Sequence, residues 1–158
     1  MIARRRFCCF ATLAALPAAV LLPACGGGPA QGGGPAPIRW DRETCTRCGM
    51  VLSDRRFAVQ VEGGATPGHW NFDDIGCALD WIEARSWAPG APRDIWVADL
   101  DSRGSAIHWL DARRAHFLAG RSSPMGYDYG ARETAEPGSI DFEALRAALR
   151  RGREAQHR

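Results

Sequence analysis

Polar and apolar residues alternate along Arg56-Phe57-Ala58-Val59-Gln60-Val61, and the run stops at Gly63-Gly64. A period of two that ends on glycines predicts a strand running into a turn. His69-Trp70-Asn71-Phe72 predicts a short second strand. The period then lengthens. Ile75, Leu79 and Ile82 share one helical face behind Asp73-Asp74, which predicts a helix capped by one of these aspartates and reaching about Arg85. Pro89 to Pro92 break the chain, and Asp94 to Leu100 predicts the next strand. Ser102-Arg103-Gly104 reads as a turn, Ala106 to Leu110 as a strand, and Ala115 to Leu118 as one more. Pro124-Met125-Gly126-Tyr127 is expected to be an exposed loop or the start of a strand. Asp141 is expected to cap a last helix reaching about Arg151, with Phe142, Leu145 and Leu149 inward and Ile140 and Leu145 at staple positions. Strands mixed with two helices make the class α+β.

The first part of the chain has a different pattern. Phe7 to Leu22 is apolar and uncharged, and follows three arginines. Such a run is too short and wrongly flanked for a membrane span, and reads as the core of a signal peptide. Leu22-Pro23-Ala24-Cys25 resembles the lipobox of bacterial lipoproteins. That resemblance implies a signal peptide over residues 1–24 and lipidation of Cys25, which would anchor the chain to a membrane on the periplasmic side. An ordinary cleavage site with a chance cysteine is the plainer alternative. Arg4-Arg5-Arg6-Phe7 also looks like a twin-arginine export signal, with Ala3 replacing the usual hydroxyl residue. Residues 25–37 are glycine, proline, alanine and one glutamine after the cysteine. They have nothing to bury, so they are expected to be a lipidated flexible tether spanning roughly 20 Å. Residues 38–158 then make one domain, long enough for a real core.

Removing the leader changes the charge. The whole chain carries +2, with 20 basic and 18 acidic residues. Arg4, Arg5 and Arg6 leave with the leader, so the mature chain falls to about −1. No basic surface for nucleic acid is indicated. There is also no Ser/His/Asp arrangement with supporting context and no Gly-rich phosphate loop. The six tryptophans read as core or as a partner surface. Asp73-Asp74 could suggest acid–base work, but a helix cap explains the pair with less.

Of six cysteines, Cys8 and Cys9 leave with the leader and Cys25 takes the lipid. Cys45, Cys48 and Cys77 remain, an odd number in an oxidising compartment, so at least one is free, shared between chains or metal-bound. Cys45-Thr46-Arg47-Cys48-Gly49-Met50 offers two thiols and then a thioether, with a glycine for the turn. These soft donors suit Cu(I) better than a hard cation. A Cys-x-x-Cys pair also serves disulfide exchange and structural zinc. Zinc lacks a second Cys or His pair at ligand spacing here. Exchange motifs usually open a helix, whereas Gly49-Met50-Val51-Leu52 runs toward a strand.

Taken in order, Cys-x-x-Cys-Gly-Met, Asn71-Phe72-Asp73-Asp74-Ile75-Gly76-Cys77, Trp109-Leu110-Asp111-Ala112 and Ser123-Pro124-Met125-Gly126 resemble the NosL family. The resemblance spans about residues 41–130. It implies a fold of two related ββαβ units and a non-enzymatic, membrane-anchored periplasmic protein. It further implies Cu(I) as cargo and a copper-accepting periplasmic enzyme or its assembly proteins as partner, with nitrous oxide reductase in first place.

Carried over residue by residue, Cys48 and Met50 match the family's Cys-Gly-Met copper motif. A core gap-filler is the plainer role for Met50. Met125 is a third soft candidate, with packing under a loop as its alternative. Cys45 is either a further ligand or a redox partner that closes a disulfide with Cys48 when copper is absent. The family's use of a histidine makes His69 the first candidate, His116 the second and His108 the third, with His157 in a polar tail as a bystander. Cys77 is expected to be a small buried residue against Trp81 rather than a reactive thiol. The competing function is a thiol–disulfide oxidoreductase working through Cys45 and Cys48.

Overall fold

The computed structural model describes residues 34–63, 68–85, 92 and 94–156. The signal peptide, the lipidation at Cys25, most of the tether and the Pro89 break lie outside the described residues, apart from Pro92 and the tether's last four positions.

A hairpin of β1 (Val59–Gly63) and β2 (Gly68–Phe72) is followed by α1 (Ile75–Glu83) and β3 (Asp94–Ala98). β3 returns antiparallel to β1 on the edge away from β2. This is a complete ββαβ unit with β1 at its centre. β4 (Trp109–Asp111) extends the sheet to the order β2-β1-β3-β4. A second, two-stranded sheet pairs β5 (His116–Ala119) with β6 (Tyr129–Arg132), and α2 (Phe142–Gln156) follows it. No strand follows α2 among the described residues, so the second unit is represented by its ββα part. A parallel bridge between Asp99 and Ala131 joins the sheets. The α+β class is as expected.

Several boundaries differ from those the pattern predicts, each for a local reason. Residues Arg55–Phe57 form a 3-10 turn because Asp54 caps it, accepting the Arg56 N–H at 3.1 Å. β1 therefore starts at Val59 rather than Arg56. Its alternation also misleads, because Val59, Gln60, Val61 and Glu62 are all buried. Gln60 is tolerated there because its side chain exchanges hydrogen bonds with the Ala36 backbone and donates to Asn71 Oδ1 at 2.8 Å. The strand predicted over Ala106–Leu110 shrinks to β4, since Ala106 is used in a tight bridge with Arg103. β6 had no apolar run to announce it. Gly130 is there because a Cβ would come within 2.4 Å of Leu100. α1 ends two residues early at Glu83, and α2 runs five residues past Arg151.

α1 lies on the sheet through Trp81, which packs on Trp70 at 5.1 Å and edge-on to Phe72 at 5.3 Å between ring centroids. Trp81 is core, and the half-buried Trp70 packs against it. α2 buries Phe142, Leu145 and Leu149 as its spacing predicts, and Asp141 accepts the Ala144 N–H at 2.8 Å as its cap. Ile140 pairs its backbone with Phe117 and packs against the core at the helix entrance. Among the described residues no helix is long and apolar enough to cross a membrane.

Candidate metal centre

The Cys45–Met50 segment is a closed loop. Thr44 bridges Val51, the Cys45 N–H donates to the Met50 carbonyl at 2.7 Å, and the Gly49 N–H donates to the Cys45 carbonyl at 3.0 Å. Gly49 turns the chain at φ +77°, a conformation that a side chain would strain. The loop is pinned to β2 by the Thr46 N–H, which donates to the Asn71 carbonyl at 2.8 Å. The Asn71 side chain adds a second tie, donating to Glu43 Oε2 at 2.8 Å. β2 thus delivers the loop to the start of α1.

At that point Cys45, Cys48, Asp73 and Cys77 converge, with one donor atom from each lying within 4.8 Å of all the others. Cys45 and Cys77 are 2% and 0% exposed, Asp73 is 3% exposed, and Cys48 is half-buried. All three thiols are free. The Cys48 thiol donates to Asp73 Oδ2 at 3.4 Å. Cys45 sits at the centre of the cluster. Its pKa is driven down, first by the Cys77 thiol donating to its sulfur and then by the Cys48 and Asp73 backbone amides. The Cys77 pKa is correspondingly pushed up, by the adjacent Cys45 sulfur and by burial. Burial raises Cys48 to about 11, and burial with the neighbouring Cys45 raises Asp73 to about 6. Three thiols and a carboxyl brought this close could hold a metal ion, and their sulfur donors favour a soft or borderline one.

The surroundings hold this geometry. Asp74 caps α1, accepting the Gly76 N–H at 3.0 Å. Its other oxygen accepts from the Ser123 hydroxyl at 2.5 Å and the Met125 N–H at 3.3 Å. The Ser123–Met125 loop is thereby tied beside the cluster. Tyr127 lies flat over Gly76 and donates to Asp80 Oδ2 at 2.6 Å. Arg47, between the two loop cysteines, reaches the same Asp80 oxygen at 2.9 Å and places a positive charge near Cys77. Arg153 of α2 pairs with the other Asp80 oxygen.

Cys45 and Cys48 thus come together as the motif suggests. Cys77, expected to be only a packing residue, is buried and also faces Cys45; of the two aspartates expected to supply the cap, Asp74 does so and Asp73 joins the thiols. No local spacing announced either role, since Asp73 lies ahead of the Asp74 cap and outside the helix that begins at Ile75. Met50 is 48% exposed at the rim, with its N–H turned to the Cys48 sulfur. It is no core gap-filler. Met125 is half-buried and packs against the core. His69 is exposed on β2 opposite Glu62, His108 is exposed, and His116 is half-buried on β5; none belongs to the four-donor group.

No family model and no curated protein matches the sequence. Among solved structures, the chain is similar to the crystal structure of the copper chaperone NosL from Shewanella denitrificans, with a TM-score of 0.53 and 18% identity over 70% of this chain and 84% of that one. At this identity the likeness establishes a shared fold.

Proposed function

We propose that this chain is a non-enzymatic Cu(I) metallochaperone that passes copper to a periplasmic copper enzyme, with nitrous oxide reductase assembly as the first choice of recipient. The observation that carries this reading is the convergence of three thiols on the Cys-Gly-Met loop. Three sulfurs within reach of one another supply the two- or three-coordinate soft environment that Cu(I) favours. The shared fold with a copper chaperone supports it. Copper is cargo in this scheme. It enters and leaves on the side of Cys48 and Met50, the accessible donors, while Cys45 and Cys77 hold it from within. A partner's soft ligands replace Met50 first and then the thiolates, one exchange at a time. Met125 is a further donor from the loop held by Asp74, and His69 serves only if its exposed ring is recruited during transfer. Lipidation at Cys25 would keep the domain at the membrane surface on the periplasmic side.

The test is an anaerobic Cu(I) titration against a chromogenic chelator, on the full chain with Cys8, Cys9 and Cys25 changed to serine. One copper per chain, weakened in Cys48→Ser and less so in Met50→Leu, is expected. Retention of all the copper by the chelator sinks the assignment. A second reading, thiol–disulfide exchange, is favoured by the contact of the Cys45 and Cys48 side chains and by the lowered pKa of Cys45. Reduction of insulin disulfides by the same preparation would put that reading first.

A further inference from the structure

The run from Ile75 to Trp81 is buried throughout, and Asp80 is its one charged member. Asp80 is 9% exposed and holds three groups. The Tyr127 hydroxyl donates to Oδ2 at 2.6 Å, the Arg47 guanidinium reaches the same oxygen at 2.9 Å, and Arg153 of α2 pairs with Oδ1. Core stability alone does not call for this arrangement. Buried ion pairs can often be exchanged for apolar residues of similar volume without loss, because desolvating the charges takes back most of their attraction. A carboxylate kept inside an apolar helix is better explained by what it holds in place.

Two of these groups come from the segments that carry the soft donors. Arg47 stands between Cys45 and Cys48, and Tyr127 follows Met125 by two residues. Asp80 lies three residues after Cys77, on the same side of α1. The guanidinium that meets Asp80 also contacts the Cys77 sulfur. Arg47 is thus held between a carboxylate and a thiol of the cluster. Its side chain is 39% exposed, so water competes for it. Sulfur is a weak acceptor, whereas a carboxylate binds a guanidinium through a charge-assisted bond. Asp80 is therefore what makes the inward position win. The loop's backbone tie, from Thr46 to Asn71, runs to β2 and not to α1.

We propose that Asp80 is a positioning residue for the cysteine cluster: through Arg47 it closes the Cys45–Met50 loop onto α1 and keeps a cation against Cys77. The inference rests on the copper reading for its cargo, whereas closure of the loop depends on no metal. A closed loop keeps Cys45 covered and its sulfur beside Cys77. Cu(I) held by two or three thiolates carries net negative charge, which the held guanidinium offsets. Arg153 takes the other Asp80 oxygen from α2 and has no part in closing the loop.

The experiment uses the reduced full chain with Cys8, Cys9 and Cys25 changed to serine. This parent is compared with Asp80→Asn, Arg47→Gln, their double variant and Arg153→Gln. The alkylation rate of Cys45 is followed in metal-free protein by peptide mass spectrometry, and Cu(I) affinity by chelator competition. Asp80→Asn and Arg47→Gln should each speed Cys45 alkylation by about tenfold or more and weaken Cu(I) by about 10–100-fold, the range for groups that orient metal ligands. The double variant should lose little beyond either single change, since both break one link. Arg153→Gln removes the pairs to both Asp80 and Glu83, and should stay within about threefold of the parent on both readouts. A merely structural role for Asp80 predicts that Arg153→Gln matches Asp80→Asn, and that outcome overturns the proposal. An unchanged alkylation rate in Asp80→Asn, or additive losses in the double variant, does the same. If circular dichroism shows Asp80→Asn unfolded, Arg47→Gln decides by the same two readouts. A parent that binds no Cu(I) but keeps the alkylation pattern would sink the copper reading and support the positioning role.

Discussion

α1 leaves the β1–β2 hairpin through Asp73-Asp74, and α2 leaves the β5–β6 pair through Asp141. Both helices are capped by an aspartate, yet the two starts differ in what surrounds them. Asp74 is fully buried and holds three groups from two segments. Asp141 is exposed and its recorded bond goes to its own helix. Every residue from Ile75 to Trp81 is buried, whereas α2 turns Phe142, Leu145 and Leu149 inward and arginines outward. A helix that merely covers a core needs one apolar stripe. A helix whose first turn is buried must find partners for its polar groups, and those partners bring the cysteine loop and the Met125 loop to one place.

The largest expected effect separates the two starts by metal binding. Cys77→Ser removes an inner donor of α1, and Cu(I) affinity should fall by about 100-fold or more, above the range for outer-shell changes. Asp141→Ala should leave Cu(I) affinity unchanged and cost about 1 kcal/mol of stability as a lost cap. Chelator competition and thermal unfolding measure the two. Equal copper loss in both variants would dissolve the distinction.

Packing gives the next contrast. A Cβ on Gly76 would stand 2.1 Å from the Tyr127 ring. Gly76→Ala must push Tyr127 off the helix and with it the Asp80 bond, so a destabilisation of about 1–3 kcal/mol is expected from overpacking. Denaturant unfolding checks this. Removing the ring in Gly76→Ala/Tyr127→Ala should recover part of the loss relative to the sum of the single changes.

Asp73 gives a smaller effect, confined to a window of pH. Its pKa in the fold is raised to about 6 by burial and by Cys45, above the ordinary 3.8. The fold therefore prefers the protonated acid. That contribution to stability is complete below about pH 4 and is lost as pH rises through about 6. In metal-free reduced protein, Asp73→Asn should match wild type near pH 4 and exceed it at pH 7. Parallel Tm curves across that range would mean that the carboxyl is solvated in solution.

Much of this was legible in the chain, and the misses share a cause. The α1 and α2 faces, the caps at Asp74 and Asp141, and the Cys45–Cys48 pair depend on neighbours within four residues, where spacing carries the geometry. β6 was missed because its pairing with β5 is set by Gly130 yielding to Leu100, a contact across the fold. The roles of Asp73 and Cys77 were missed because they depend on where β2 sets down the loop, through Thr46 and Asn71. Gln60 shows the same limit, since an alternating polar position reads as solvent-facing until Ala36 and Asn71 are seen to bond it. Local chemistry was visible, and convergence between distant segments was not.

The smallest expected effect comes from the glycine of α2. Gly152 lies inside the helix with nothing within 4 Å of where a Cβ would stand and no positive φ. Alanine there adds no clash and removes the backbone freedom that glycine gives the unfolded chain. Gly152→Ala should therefore stabilise by up to about 0.8–1 kcal/mol, less if the end of the helix frays. It lies next to Arg153, which pairs with Asp80 and Glu83 and so joins α2 to the helix that carries Cys77. A stiffer α2 should hold that pairing without changing Cu(I) affinity, because the donors are fixed by the loop and by Asp74 rather than by α2. A change of more than about threefold in Cu(I) affinity, well above what an exposed helix position transmits on its own, would show that α2 acts on the metal centre through Asp80. The contrast between the two helices would then be one of degree.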